Sequence, residues 1–242
     1  MARGELIICK DQDSVAEKAA EFFVSCGRKA IGERGRFNVV LSGGSTPKLM
    51  FKKLAASLAK DPPPLPLGNI YFFFGDERMV PVTSEESNFR MANELLLKPL
   101  GVHEQNIFRF RTELEPNPAA ADYTRRLRSH FGIDSGIPSF DLVYLGLGTD
   151  GHTASLFPGT DVLGERDEIA AAVYVPKLDA YRLSLTFPVL NTAAAVAFLV
   201  TGVDKQDVLR KVREGSSGLP AERISPTGDL VWFVDKAAAG QP

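Results

Sequence analysis

A three-layer α/β fold, with a largely parallel, Rossmann-like sheet covered by helices on both faces, is what this sequence predicts. Three observations carry that prediction. Strand-like apolar runs and helix-like periodic segments alternate along the chain. The strongest runs, Phe37 to Leu41 and Asn69 to Phe74, are almost continuously apolar, as strands covered on both sides are. The turns that follow them are rich in glycine, hydroxyl and charged residues, and α/β folds place their ligands beyond the carboxyl ends of strands. A length of 242 residues suits one large domain or two small ones. The most linker-like stretch, Asp61 to Pro66, is short and joins a helix to a strand. With no internal repeat either, a single domain over residues 1–242 is expected.

The elements follow in order. Met1 to Glu5 lead straight into a short strand-like run, with no secretory pattern. Ser14 with Glu17 reads as a capping box, opening a helix that carries Val15, Ala19, Phe22, Phe23, Cys26 and Ala30 at helical spacing. After the strand Phe37 to Leu41 comes Ser42-Gly43-Gly44-Ser45-Thr46-Pro47. Here Thr46 is expected to cap the next helix, with Pro47 at its first position. Met50, Leu54 and Leu58 fall on one face of that helix. The strand Asn69 to Phe74 runs into Gly75-Asp76-Glu77-Arg78. Further helices are expected over Ser87 to Leu97, Pro118 to Phe131 and Asp204 to Arg213. Further strands are expected at Asp141 to Leu145, Ala171 to Val175, Leu183 to Thr186, Ala195 to Val200 and Leu230 to Val234.

Composition narrows the chemistry. Hydrophobic residues make up 44% and charged residues 24%, ordinary for a globular protein, and the net charge is −2. Neither nucleic acid nor a membrane surface is therefore implied as a partner, and any cationic site must be local. The longest apolar stretch, Ala193 to Val200, is far too short to span a bilayer. Cys9 and Cys26 read as two reduced thiols in a cytoplasmic protein. No H-x-x-x-H or C-x-x-C spacing occurs, and His103 and His130 sit among polar sequence neighbours, so no metal or cofactor is expected. There is no G-x-S-x-G nucleophile turn. Arg125, Arg126 and Arg128 read as a solvated helix face.

Three loops remain. Gly146-Leu147-Gly148-Thr149-Asp150-Gly151 matches the dinucleotide fingerprint literally, but Pro158-Gly159 follows too soon for the helix that fingerprint needs. Next comes His152, one of three histidines in the chain, at the tip of a loop that ends a buried strand. Ser42 to Pro47 reads either as a phosphate loop or as a tight strand-to-helix turn. It lacks the lysine of a nucleoside triphosphate loop. Gly75 to Arg78 reads either as a solvated turn or as a third loop converging on the same sheet edge.

Taken together these pieces resemble the 6-phosphogluconolactonase family, within the superfamily that includes the glucosamine-6-phosphate deaminases. The matching segments are Ser42 to Pro47, Gly75 to Arg78, Leu145 to Gly159, Val175 to Asn191 and Leu219 to Asp235. The resemblance implies hydrolysis of 6-phospho-D-glucono-1,5-lactone to 6-phosphogluconate in the pentose phosphate pathway. The expected ligand is that small molecule, with no obligate protein partner. For that reaction the residues offer His152 as general base, since an imidazole titrates near neutral pH, Asp150 to orient either the loop or the imidazole, and Arg78 to stabilise either the developing oxyanion or bound substrate. The phosphate would lie on Gly43, Gly44, Ser45 and Thr46, with Asp76 on the substrate and Lys177 and Arg182 facing the ligand. Which of those two cations meets phosphate stays open. Deaminases carry a tyrosine after the acidic pair, where this chain has Arg78, and a catalytic glutamate where it has Phe157. A non-catalytic sugar-phosphate-binding regulator could dispense with His152, which is retained.

Overall fold

The computed structural model describes residues 4–241. Its frame is a seven-stranded sheet built from β1 (Glu5–Cys9), β2 (Phe37–Leu41), β3 (Ile70–Phe74), β5 (Ile107–Phe108), β6 (Leu142–Gly146), β9 (Ala195–Val200) and β10 (Asp229–Asp235). The spatial order is β1-β10-β9-β6-β2-β3-β5, and every neighbouring pair is parallel. Every residue of β2 and β9 is buried, which is why those two strands carry no polar alternation.

The helices are α1 (Gln12–Arg34), α2 (Ser45–Leu58), α3 (Asn88–Ala92, continued by a π-helical turn, Asn93–Leu97), α4 (Pro116–Phe131), α5 (Phe187–Asn191) and α6 (Gln206–Glu214). From β1 through β3 the chain advances toward the β5 edge, and α1 and α2, which it lays down on the way, pack on each other. From β5 to β6 it reverses. Because parallel crossovers are right-handed, that reversal puts α4 on the opposite face. Among the described residues, no helix is long and apolar enough to cross a membrane.

Four local expectations are corrected. First, α1 begins earlier than the Ser14–Glu17 pair implies. Asp11 caps it, its carboxylate accepting from Ser14 N at 2.8 Å and from Ser14 Oγ at 2.7 Å. A carboxylate there also meets the positive end of the helix. Second, α2 is capped not by Thr46 but by Gly44, as described below. Third, His130 is not in polar surroundings. Its ring lies 4.7–5.2 Å from those of Tyr71, Phe73, Phe108 and Phe131, and Nε2 is 2.8 Å from Asn38 Oδ1. Burial lowers its pKa to about 4. On a helix the environment comes from the next turn and the sheet beneath, not from the adjacent residues. Fourth, the arginines of α4 are not uniformly solvated. Arg125 is largely exposed, but Arg126 is mostly covered and donates through Nε to the buried Asp122 at 2.8 Å.

A second sheet was not foreseen. β4 (Asp76–Arg78), β8 (Ala180–Leu185) and β7 (Ala170–Val175) form an antiparallel trio in that order. Only a short 3-10 turn, Pro176–Leu178, separates β7 from β8, so they form a hairpin rather than a parallel crossover. Val173, Val175, Leu183 and Leu185 join the same hydrophobic core as the main sheet. The trio hangs from the end of β3, because Gly75 bonds both ways: its N–H to Leu41 O and its carbonyl from Leu185 N. Tyr123 of α4 pins the same point, its hydroxyl accepting from Phe74 N at 3.0 Å.

Candidate active site

The chain leaves β2 toward β3 on one side and β6 toward β9 on the other, so the gap between β2 and β6 is a topological switch point. In open α/β sheets the ligand crevice lies there, beyond the carboxyl ends of the strands. A cavity of about 270 Å³ occupies that place, lined from the ends of β2, β6 and β9 and from β4 beyond β3. All three loops singled out in the sequence contribute to it.

The first loop enters α2 through Gly44 at φ 117° and ψ 173°, a conformation that side chains strongly disfavour. No side chain caps the helix, and its opening residues Gly44, Ser45 and Thr46 line the cavity. Thr46 sits inside the first turn instead, with Oγ1 2.8 Å from Thr201 Oγ1 and within 3.3 Å of Gln12 Nε2. Gly43 has no room for a side chain: a Cβ there would lie 1.9 Å from Asn88 Oδ1. Ser42 lines the cavity with its hydroxyl buried and without a hydrogen-bond partner. Free backbone donors at a helix N-terminus suit an anion, and a tight strand-to-helix turn has the same backbone path.

The second loop is not a solvated turn but strand β4. Glu77 is 2% exposed, and its carboxylate accepts from Arg78 N, Asn88 N, Phe89 N and Ser87 Oγ at 2.8–3.1 Å. Burial raises its pKa, while the three backbone donors pull the other way. Glu77 thus ties α3 to β4 and leaves its neighbours on the other face of the strand, Asp76 and Arg78, to line the cavity. Asp76 is held from two sides, by Asn88 Nδ2 at 3.2 Å and Ser155 Oγ at 2.8 Å. Arg78 donates to Glu86 O and stands opposite Arg182 in the β4–β8 register.

The third loop folds back on itself. Gly148 N donates to His152 O and Gly151 N to Gly148 O, both at 2.9 Å, with Gly151 at φ 79°. No helix follows Gly151 before the 3-10 turn Asp161–Gly164, so the fingerprint match has no dinucleotide geometry behind it. His152 Nδ1 lies 2.5 Å from Asp150 Oδ1. A carboxylate can only accept, so the neutral ring carries its proton on Nδ1 and leaves Nε2 as an acceptor. Phe157 stacks on the imidazole at 4.0 Å. Gly148 supplies the space for the ring, since a Cβ there would fall 2.0 Å from His152 Nδ1. Gly148→Ala is accordingly expected to displace the imidazole by about an ångström. It should lower turnover by about 10²-fold with the far-ultraviolet circular dichroism unchanged. A variant that turns over at the wild-type rate would show that the ring position is not set here.

Burial lowers the His152 pKa to about 4, helped by the nearby cations Lys205, Arg182 and Arg78 and opposed by Asp76. Arg182 is itself pushed below its usual value by burial and by Arg78. The cavity therefore brings together Gly43, Gly44, Ser45, Thr46, Asp76, Arg78 and His152. Asp150 touches the back of the imidazole rather than the cavity. Lys177 is directed to Asp150 Oδ2, and neither it nor Arg182 lines the cavity wall. Three polar lining residues escaped the sequence reading: Asn88, Thr201 and Lys205. Lys205 follows β9 directly, in a turn opened by Gly202 at φ 100°. A glycine and a lysine just past a buried strand were the available signal. Among the described residues no three His, Cys, Asp or Glu side chains are grouped to hold a metal ion.

Residues 10–232 match the family model described as glucosamine-6-phosphate isomerases/6-phosphogluconolactonase. The 6-phosphogluconolactonase of Rattus norvegicus is 41% identical over 93% of this chain and 87% of its own length. That of Homo sapiens is 42% identical over 86% of this chain and 81% of its own length. The solved 6-phosphogluconolactonase structure from Thermotoga maritima superposes with a TM-score of 0.82 at 33% identity, covering 96% of this chain and 99% of that one.

Proposed function

The chain belongs to the glucosamine-6-phosphate isomerase/6-phosphogluconolactonase family, and from that premise we propose that it hydrolyses 6-phospho-D-glucono-1,5-lactone to 6-phosphogluconate. One observation carries the reading. An imidazole with Nε2 available as acceptor opens into the same cavity as an uncapped helix N-terminus. The first suits activation of water and the second suits a phosphate, so one bound molecule can meet both.

In this reading the phosphate rests on the backbone N–H groups of Gly44, Ser45 and Thr46, with Lys205 as its cation and Arg182 flanking. The lactone ring extends toward His152. A lactone is an activated ester, so water serves as nucleophile without a covalent intermediate, metal or nucleotide. Nε2 takes the proton as the water oxygen bonds to the carbonyl carbon, and Arg78 stabilises the oxyanion. Collapse of the tetrahedral intermediate breaks the ring C–O bond, and the proton passes to the departing alkoxide. Asp76, anchored by Asn88 and Ser155, fixes the sugar hydroxyls. Phe157 supports this chemistry over ring-opening isomerisation, because it stacks on His152 where a deaminase needs a carboxylate.

The test is acid release from freshly prepared 6-phosphogluconolactone, followed by pH-stat against an enzyme-free blank. The chain is expected to accelerate release several orders of magnitude above the spontaneous rate, as enzymes do, and to keep that rate after dialysis against a chelator. A rate equal to the blank defeats the reaction. Loss on dialysis with recovery on added zinc defeats its metal-free form.

A further inference from the structure

Lys177 does not line the cavity, yet it reaches the catalytic histidine's supports from behind. It sits in the turn Pro176–Leu178 between β7 and β8. Its ammonium pairs with Asp150 Oδ2 and lies 4.6 Å from the centre of the Phe157 ring. Asp150 uses its other oxygen on His152 Nδ1, and Phe157 stacks on the same imidazole. One carboxylate and one aromatic ring therefore stand between a lysine and a histidine.

The hairpin that presents this lysine is locally braced. Asp179 closes the turn at φ 45°, its N–H bonded to Pro176 O at 3.1 Å. The Asp179 carboxylate accepts from Tyr174 Oη at 2.5 Å, and Tyr174 packs across the hairpin on Tyr181 at 5.2 Å. Bracing of this kind fixes the backbone that presents Lys177, so the ion pair has only the side-chain rotamers left to order.

We propose, on the lactonase reading of this cavity, that Lys177 is a positioning residue: it holds Asp150 and offsets its charge, so that the carboxylate orients the His152 ring without loading it with a second proton. A carboxylate alone against an imidazole favours the imidazolium, and an imidazolium cannot accept a proton from water. An ammonium on the far oxygen opposes that tendency while leaving the Nδ1 hydrogen bond in place. The charged groups around His152 are Asp150 from its own loop, Asp76 and Arg78 from β4, Arg182 from β8 and Lys205 after β9. Lys177 adds a further cation, acting through Asp150. Arg78 and Lys205 line the cavity, where a bound anion would neutralise part of their effect. Lys177 stands outside it, so its influence persists when substrate is bound.

The experiment compares Lys177→Met, which keeps the aliphatic stem over Phe157, with Lys177→Arg, which keeps the charge. The His152 ring is titrated by NMR, with its resonance identified by its loss in His152→Gln. In Lys177→Met the His152 midpoint is expected to rise by about one pH unit or more, the effect of removing a nearby cation. The acid limb of kcat/KM should move up with it, and Lys177→Arg should stay near wild type. The shift is readable even if wild type unfolds before its own midpoint, because the variant ring titrates where the wild-type ring does not. An unchanged midpoint in a folded Lys177→Met overturns the proposal. So does a large rise in KM at pH 8 without a midpoint shift, which would make Lys177 a phosphate ligand. The NMR titration needs no turnover, so failure of the lactonase reading, seen in wild type alone, is separate from failure of this one.

Discussion

Replacing His152 by Ala is expected to lower kcat by roughly 10²–10⁴-fold, the usual contribution of a positioned general base, while the fold survives. Survival is expected because the ring stands at a cavity wall and stacks on Phe157 rather than filling the core. The His152 pKa is lowered to about 4, so the ring is neutral and competent across the neutral range. Activity should then fall only as pH drops toward 4, not at the 6.5 of an ordinary imidazole. Substrate changes this. A bound phosphate offsets the cations that help hold the pKa down, so the ring becomes easier to protonate. The acid limb of kcat, which reports the complex, should lie at higher pH than that of kcat/KM, which reports the free enzyme. Steady-state profiles over pH 4–9 for both chains check all of this. A His152→Ala chain with near-wild-type kcat would remove the base from the mechanism.

Parts of this site were legible in the sequence because they depend on backbone geometry. Gly43, Gly44 and Gly148 are glycine for reasons of space or dihedral angle, and such positions mark themselves in a sequence. Buried strands such as Phe37–Leu41 and Ala195–Val200 are equally plain, since continuous apolar runs have few other uses. What stayed hidden depends on partners distant in the chain. Asp76-Glu77-Arg78 looks like a solvated turn until β8 is laid beside it and the N-terminus of α3 closes on Glu77. His130 looks polar until the sheet beneath α4 supplies its aromatic neighbours. Lys177 and Lys205 are both cations near loops, and only the fold separates them. One is directed to a carboxylate behind the imidazole, the other lines the cavity. The Ser14–Glu17 pair misled for a different reason. Asp11 lies close by and caps equally well, and propensity alone does not rank the two.

The phosphate should control specificity, and its removal is expected to have the other large effect. It is remote from the carbonyl carbon, so its binding energy can be used to hold the lactone against the activated water. Two charge-assisted contacts at about 2 kcal/mol each correspond to about 10³-fold in kcat/KM. Unphosphorylated gluconolactone should therefore be poorer by about that factor, and inorganic phosphate or 6-phosphogluconate should compete with the phosphorylated substrate. The ranking of variants follows from charge and position. Lys205→Ala should raise KM by about 10- to 30-fold and weaken phosphate inhibition in step, since it removes an ionic partner. Arg182→Ala should act in the same direction. Ser45→Ala removes one neutral hydroxyl and should cost only a few-fold, because the backbone donors of the uncapped α2 remain. None of these changes should affect the unphosphorylated lactone comparably, since that substrate never uses the phosphate contacts. Comparing both lactones on wild type, Lys205→Ala and Ser45→Ala decides the matter. Equal hydrolysis of the two lactones by wild type would reduce the Ser42 to Pro47 loop to a turn and remove the phosphate from the mechanism.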